Sequence, residues 1–360
     1  MARVMVIFGG KSGEHDVSLA SARAIITSLR ESGRHKITPV GITREGRWIH
    51  SSDPMTELES QSKSLSSANT VSIASEASGT DVSGTPAPVS EKLPAGLGSV
   101  DVVFPVLHGP DGEDGTVQGL LELAGVPYVG SGVLASAVGM DKITMKKIFA
   151  HHGLPQVRWI GITSHELQTN PSGCIERVEK TTGYPCFIKP ANLGSSVGIS
   201  KADDSESLLT ALHEAASYDR RIIVEEGVDA REMEVSVLGN EEPEVSMPGE
   251  VVIQGNEFYD YEAKYVEGGM ELIVPADLPD ETILEIQDSA RIAYESVDAA
   301  GMARVDFFLE RGTDRLLLNE INTIPGFTPT SVYATLWDAS GLPYEDLLNR
   351  LIDFAIQRHA

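Results

Sequence analysis

The sequence predicts a mixed α/β and α+β protein of three domains, opened by a parallel-sheet domain. Three observations predict it. An apolar run, VMVIF, is stopped by Gly9 and Gly10 and followed by helical periodicity. Strand and helix patterns alternate from about 131 to 228, and from about 229 onward strands dominate, with side chains alternating between two faces. At 360 residues the chain is long enough for domains with separate cores.

Taken in order, VMVIF reads as a buried parallel strand. Leu19, Ala22, Ile26 and Leu29 then fall on one face of a helix. Further strands are expected near Ile37 to Ile42 and Val102 to Leu107, and a helix carrying Val117, Leu120, Leu121 and Ala124 follows. Between them, residues 51–98 are rich in Ser, Gly, Ala and Pro without sustained periodicity, and read as a surface insertion or a regulatory tail. The second domain, 131–228, holds a helix through Met140–Ala150, a strand at CFIKP, a Gly/Ser loop, a helix near Ser205–Ala216 and a strand at RIIVEE. The third, 229–360, begins with EMEVSVLG, where Met233, Val235 and Val237 face one way and Glu232, Glu234 and Ser236 the other. No internal repeat is evident.

Composition narrows the function. Hydrophobic residues make up 41% and charged residues 22%, and no run of about 18 apolar residues suggests a membrane span. The N-terminus does not read as a signal peptide, so a cytoplasmic location is expected. Cys174 and Cys186 have no metal-binding or redox spacing and read as ordinary thiols. A net charge of −25 argues against nucleic acid as a partner. It also means that an anionic ligand needs locally concentrated cations.

Four segments carry chemistry. In ARVDFFLE and RLLLNEIN, separated by Arg311-Gly312-Thr313-Asp314, period two puts Arg304 with Asp306 and Glu320 with Asn322. A hairpin centred near Thr313 sets Asp306 opposite Glu320 and Arg304 opposite Asn322. Facing carboxylates need something positive between them. Hard oxygen donors suit Mg²⁺ shared with phosphates, while a solvated face with Arg304 neutralising Asp306 is the alternative. In CFIKPANLGSSVGIS, Lys189 ends an apolar strand and small residues follow, a loop able to wrap phosphate oxygens. The lysine precedes the glycines, so this is not a Walker loop. Lys142, by spacing alone, reads as a surface lysine. In GGKSGEHDVS, Glu14 could hold an ammonium group or simply sit near a helix N-terminus. His108, in LHGPDGEDG, could titrate near neutrality or be structural. FYDYEAKY, with Tyr259, Asp260, Tyr261, Lys264 and Tyr265, reads as a covering loop or an edge strand.

Together, GGKSGEHDVSLASA, LHGPDGEDGTVQGLLELAGVPYVGSG, MDK, FIKPANLGSSVGISK, FYDYEAKY, ARVDFF and NEINTIPGFTPTS resemble, in order, the D-alanine–D-alanine ligases of the ATP-grasp superfamily. The resemblance spans essentially all of the chain except the Ser-rich insertion. It implies a three-domain ATP-grasp architecture whose N-terminal parallel-sheet domain precedes the grasp, with ATP clasped between the other two. It also implies a homodimer and a role in peptidoglycan precursor synthesis. By family precedent Lys142 and Lys189 contact nucleotide phosphates, and Glu225 and Glu232 the adenine amino group and ribose. The nucleotide set also takes in Ser195, Ser196, Phe258, Lys264 and Asn319, with Glu226 and Val228, where base contacts come mainly from backbone. Asp306, Glu320 and Asn322 match the ligands of magnesium or manganese, two ions being expected, and Glu320 also belongs to the nucleotide set.

Glu14 matches the group that binds the first D-alanine's ammonium, with Ser195 and Tyr265 its hydrogen-bonded partners. Arg304 and the Gly326 backbone match the oxyanion-stabilising groups. Ser331 matches the group that takes the second substrate's carboxylate, with His108 and Lys264 also on the substrate side. Lys264 and Tyr265 stand as in dipeptide-forming enzymes, which favours D-alanine as second substrate over D-lactate; D-serine is the alternative. The implied chemistry is an acyl phosphate made from ATP and attacked by the second amine, under a closing Tyr259–Tyr265 loop. Another ATP-grasp ligase would lack the Glu14, Ser195, Tyr265 set. A non-catalytic nucleotide-binding module would lack a metal ligand or Arg304. A dehydrogenase is set aside because no G-x-G-x-x-G follows the first strand.

Overall fold

The computed structural model describes residues 1–49, 51–60, 100–194, 198–253 and 270–360. The first sheet orders its strands β3-β2-β1-β4, with β1 Arg3–Gly9, β2 Lys36–Ile42, β3 Trp48–Ile49 and β4 Val102–Val106. β1 runs parallel to both β2 and β4, as the continuous apolar run requires. Gly9 ends β1 at φ +95°, and a Cβ there would stand 2.1 Å from the Ile42 carbonyl oxygen, so only glycine closes this strand end. Helix α1, His15–Ser32, then lays Leu19, Ala22, Ile25, Ile26 and Leu29 on the sheet.

The start of the Ser-rich stretch is not loop. Residues 54–60 are helical, the Asp53 carboxylate accepts from the Thr56 N–H, and Leu58 enters the core. Residues 61–98 of that stretch lie outside the described residues. Helices α2, Thr116–Ala124, and α3, Val133–Met140, lead out of the first sheet region.

The expected single helix through Met140–Ala150 is corrected at its start. Asp141 is extended, at φ −86° and ψ 96°, and its carboxylate accepts from the Thr144 N–H, so a new helix, α4, runs Lys142–His151. The middle sheet follows, ordered β5-β8-β6-β7 and antiparallel throughout: β5 Trp159–Thr163, β6 Cys186–Pro190, β7 Ser200–Ala202 and β8 Arg221–Glu226. Helices α5 Ser164–Thr169, α6 Pro171–Thr181 and α7 Ser205–Tyr218 complete this unit, whose core contains both cysteines as free thiols.

The last sheet runs β12-β11-β9-β13-β14, with β10 also on β9. Its strands are β9 Ala230–Gly239, β10 Glu244–Val245, β11 Gly249–Ile253, β12 Met270–Ile273, β13 Gly301–Glu310 and β14 Leu316–Asn322. Helix α8, Asp280–Ser296, packs on one face, placing Ile286, Ala290, Ala293 and Tyr294 against Met233, Val235 and Val237. Helices α9 Val332–Ala339 and α10 Tyr344–Arg358 return to the first sheet. Leu238, Met302, Phe327 and Leu351 therefore share one core with Val4 and Phe104. No helix among the described residues is long and apolar enough to cross a membrane.

Candidate active site

The β13–β14 hairpin has the register that alternation predicts at its functional end: Arg304 pairs with Asn322 and Asp306 with Glu320. Past Asp306 the register shifts, so Phe307 faces Leu318 and Asn319 is the extra residue of a bulge. On the other flank β9 sets Glu234 opposite Asp306. Three carboxylates thus lie in a row across neighbouring strands, an arrangement unfavourable without compensation. Arg304 supplies it. Its Nε and Nη2 donate to the two oxygens of Asp306 at 2.7 and 2.6 Å, and Nε lies 2.9 Å from Glu234. Both reserved possibilities for this face are therefore present in part: Arg304 neutralises Asp306, while Glu320 and Asn322 line a cavity.

Two carboxylates and an amide oxygen are a hard-oxygen set that fits Mg²⁺ or Mn²⁺. Among the described residues no cluster of three or more His, Cys, Asp or Glu is arranged to hold a metal. Substrate phosphates and water would have to complete the coordination.

The cations face this row. Lys142 occupies the first turn of α4, the unfavourable end for a positive charge, and Asp141 offsets it as the cap. The Lys142 Nζ donates to the Leu193 carbonyl at 2.7 Å and lies 3.9 Å from Glu320. It is not the free surface lysine that spacing alone suggests. Lys189 leaves β6 on the face opposite Cys186 and Ile188, and its Nζ is 2.7 Å from Glu225. Glu225 is 3% exposed, and its other oxygen is 2.8 Å from Lys146. Burial alone would raise the Glu225 pKa, but the two lysines hold it below the usual carboxylate range. Burial likewise works against the charge of Lys189, and Glu225, with Glu320 and Glu232, more than restores it.

The Glu14 side of the cavity is built from loops at strand ends. Glu14 occupies the N-cap position of α1, but its side chain does not cap the helix. Its carboxylate lies beside two glycines: a Cβ on Gly109 would stand 3.2 Å, and one on Gly194 3.4 Å, from Oε2. Ser12 ties the two loops together, donating to the His108 carbonyl at 2.6 Å and accepting from the Glu14 N–H. His108 is buried, and its Nδ1 donates to the Ile324 carbonyl at 2.9 Å, so the neutral ring keeps Nε2 as a lone pair. Burial lowers its pKa against the pull of Glu14. Across the cavity, Ser331 Oγ accepts from the Thr328 N–H and stands 3.4 Å from where a Cβ on Gly326 would lie.

A cavity of about 560 Å³ brings together Glu14, His108, Lys142, Arg304, Glu320, Asn322, Gly326 and Ser331. Lys189, Glu225, Glu226, Val228, Glu232, Asp306 and Asn319 are not among its lining residues. Of these, Glu226 is tied to Arg158, accepting from its backbone N–H at 2.7 Å and from Nε at 2.5 Å. Ser195, Ser196, Phe258, Lys264, Tyr265 and the rest of the Tyr259–Tyr265 loop lie outside the described residues.

Three residues in or behind the cavity escape the sequence reading. Glu234 stands on the same β9 face as Glu232, Lys146 one turn beyond Lys142, and Glu113 in the same loop as His108. Glu113 lines the cavity; one of its oxygens is 3.6 Å from the Gly194 Cβ position, and the other is buried without a hydrogen-bond partner. Burial, and then Glu14, push its pKa up to about 8.

A folded-state pKa raised for an acid means that the folded state holds a proton the unfolded chain releases. The associated stability is present below the unfolded value and declines as pH rises towards about 8. Glu113→Gln should therefore lose less stability than the parent between pH 5 and pH 8.5. The difference should be on the order of 1–2 kcal/mol, because partial contact with water screens the full shift. Thermal unfolding at the two pH values checks this; parallel losses in both proteins would refute it.

Lys142 and Lys189 of the middle unit and the carboxylate row of the last sheet belong to a multi-domain α/β structure of the ATP-grasp class. Residues 3–131 match the family model for the D-ala D-ala ligase N-terminus, and residues 148–353 that for the C-terminus. The chain belongs to the D-alanine–D-alanine ligase family. It is 48% identical over 360 residues to the D-alanine–D-alanine ligase of Geobacillus thermodenitrificans, covering 99% of this chain and 96% of that one. It is 45% identical over 372 residues to the enzyme of Acetivibrio thermocellus, with the same coverage. Among solved structures it is similar to the D-alanine–D-alanine ligase of Coxiella burnetii, with TM-score 0.80, 33% identity, and 99% and 94% of the two chains covered. It is also similar to the VanG D-Ala:D-Ser ligase of Enterococcus faecalis, with TM-score 0.79, 32% identity, and 98% and 99% covered.

Proposed function

We propose that the protein joins two D-alanine molecules at the expense of ATP through an acyl-phosphate intermediate, releasing ADP and phosphate, in peptidoglycan precursor synthesis. One observation carries this reading: a single cavity is lined by the carboxylate of Glu14 together with Arg304, Gly326, Ser331, Lys142 and Glu320. Glu14 holds the ammonium of the first D-alanine, whose carboxylate oxygen takes the γ-phosphoryl group to give an acyl phosphate and ADP. Lys142 and Lys189 offset the charge of the transferring group. Asp306, Glu320 and Asn322 would hold magnesium or manganese, which supplies further charge neutralisation at the phosphates.

Ser331 orients the second D-alanine through its carboxylate, and its free amine attacks the activated carbonyl. Arg304 and the Gly326 N–H stabilise the tetrahedral oxyanion, and phosphate leaves. The family resemblance also supports a cytoplasmic homodimer.

D-serine as second substrate is the other reading, because the D-Ala:D-Ser ligase superposes as closely as the D-alanine enzyme does. Phosphate release from ATP with D-alanine, L-alanine, D-alanine plus D-serine, or D-alanine plus D-lactate separates these, with products identified by mass. D-Alanyl-D-alanine formed in preference to D-alanyl-D-serine is expected. Release that does not depend on a D-amino acid would sink the assignment.

A further inference from the structure

Lys146 stands one turn beyond Lys142 on α4, is 1% exposed, and is not among the residues that line the cavity. A buried ammonium needs a counter-charge, and its counter-charge is Glu225, 2.8 Å away. The same carboxylate is 2.7 Å from Lys189. Two ammonium groups share one carboxylate, so the buried group retains one net positive charge. In a chain of net charge −25, with Glu232 and Glu320 also bearing on Lys189, the second ammonium offsets part of the negative charge gathered around that lysine.

The sharing has a consequence for Lys189. Paired with Lys189 alone, Glu225 would form a closed neutral pair and weaken the attraction of that lysine for an anion. With Lys146 on its other oxygen, the carboxylate is divided between two cations. The geometry also joins three elements, because α4 carries Lys146, β6 carries Lys189 and β8 carries Glu225. We infer that Lys146 is a positioning residue for nucleotide phosphate, acting through Glu225 to fix the place and the residual charge of Lys189. The inference rests on the proposed nucleotide role of Lys189.

Steady-state kinetics of Lys146→Met, with melting temperatures alongside, test it. The ATP KM should rise roughly tenfold, the scale of one charge-assisted contact, while kcat and the D-alanine KM stay within about threefold. Lys146→Arg, which keeps the charge, should recover most of the ATP affinity. An ATP KM for Lys146→Met within about twofold of the parent overturns the inference, whatever the melting temperature does.

If Lys146→Met does not fold, Glu225→Gln and the double variant decide. A residue that acts only through the Glu225 carboxylate has nothing left to act through once that carboxylate is gone. Their ATP KM values should then agree within about twofold, and a gap of about tenfold overturns the inference. A parent protein without ATP-dependent turnover would instead remove the nucleotide reading itself, a failure visible before any variant is made.

Discussion

Arg304→Lys should lower kcat by about 10²–10³-fold with little change in the ATP KM, the size of loss expected when a fixed oxyanion donor is removed. The reason is geometric. Arg304 reaches the cavity while its guanidinium is held by both oxygens of Asp306 and by Glu234. A planar fork can satisfy two carboxylates and still present an N–H outward, whereas an ammonium on a flexible stem cannot do all three. Lysine is the informative replacement because it keeps a positive charge among buried carboxylates. An alanine there would cost about 3–5 kcal/mol by stranding them, and would confuse unfolding with lost chemistry. A kcat within about threefold of the parent for Arg304→Lys would mean that Arg304 is only a structural counter-ion for Asp306 and Glu234.

Glu320→Gln should reduce turnover by roughly 10²–10⁴-fold, corresponding to several kcal/mol of charge stabilisation at the phosphates. It should also raise the Mg²⁺ concentration needed for half-maximal activity. Glu320 lines the cavity and stands 3.9 Å from Lys142, whereas both oxygens of Asp306 accept from Arg304. Removing its charge weakens the oxygen cluster while keeping the shape of the side chain. A Mg²⁺ titration of turnover is the direct check. An unchanged midpoint with unchanged kcat would exclude Glu320 from the metal set.

Much of this site was legible in the sequence because strand periodicity is strict. Period two was enough to set Asp306 against Glu320 and Arg304 against Asn322, since a hairpin with a defined turn leaves few other registers. The bulge at Asn319 was not legible, because an extra residue leaves the hydrophobic alternation on either side readable. The break at Asp141 was missed for a related reason: the apolar pattern runs through it, and only the side-chain cap marks two helices. Glu113, Lys146 and Glu234 share another cause. Each gains its importance from a partner distant in sequence, so neither its own residue type nor its neighbours marks it. Glu234 becomes part of the site only when β9 pairs with β13, and Lys146 only when α4 lies under β8.

Helix α4 carries a further implication. Its Met145 and Phe149 are part of the core of the last sheet, while Ile143 packs with Ala191 and Ile223 of the middle unit. The helix is therefore a shared wall between two rooms, and Lys142, the α4 lysine proposed to contact nucleotide phosphate, hangs from it. Affinity for phosphate is then inherited from hydrocarbon packing on the wall's far side. A lineage could retune its nucleotide grip by exchanging one methyl group at Phe149's neighbours, leaving every polar residue of the site untouched.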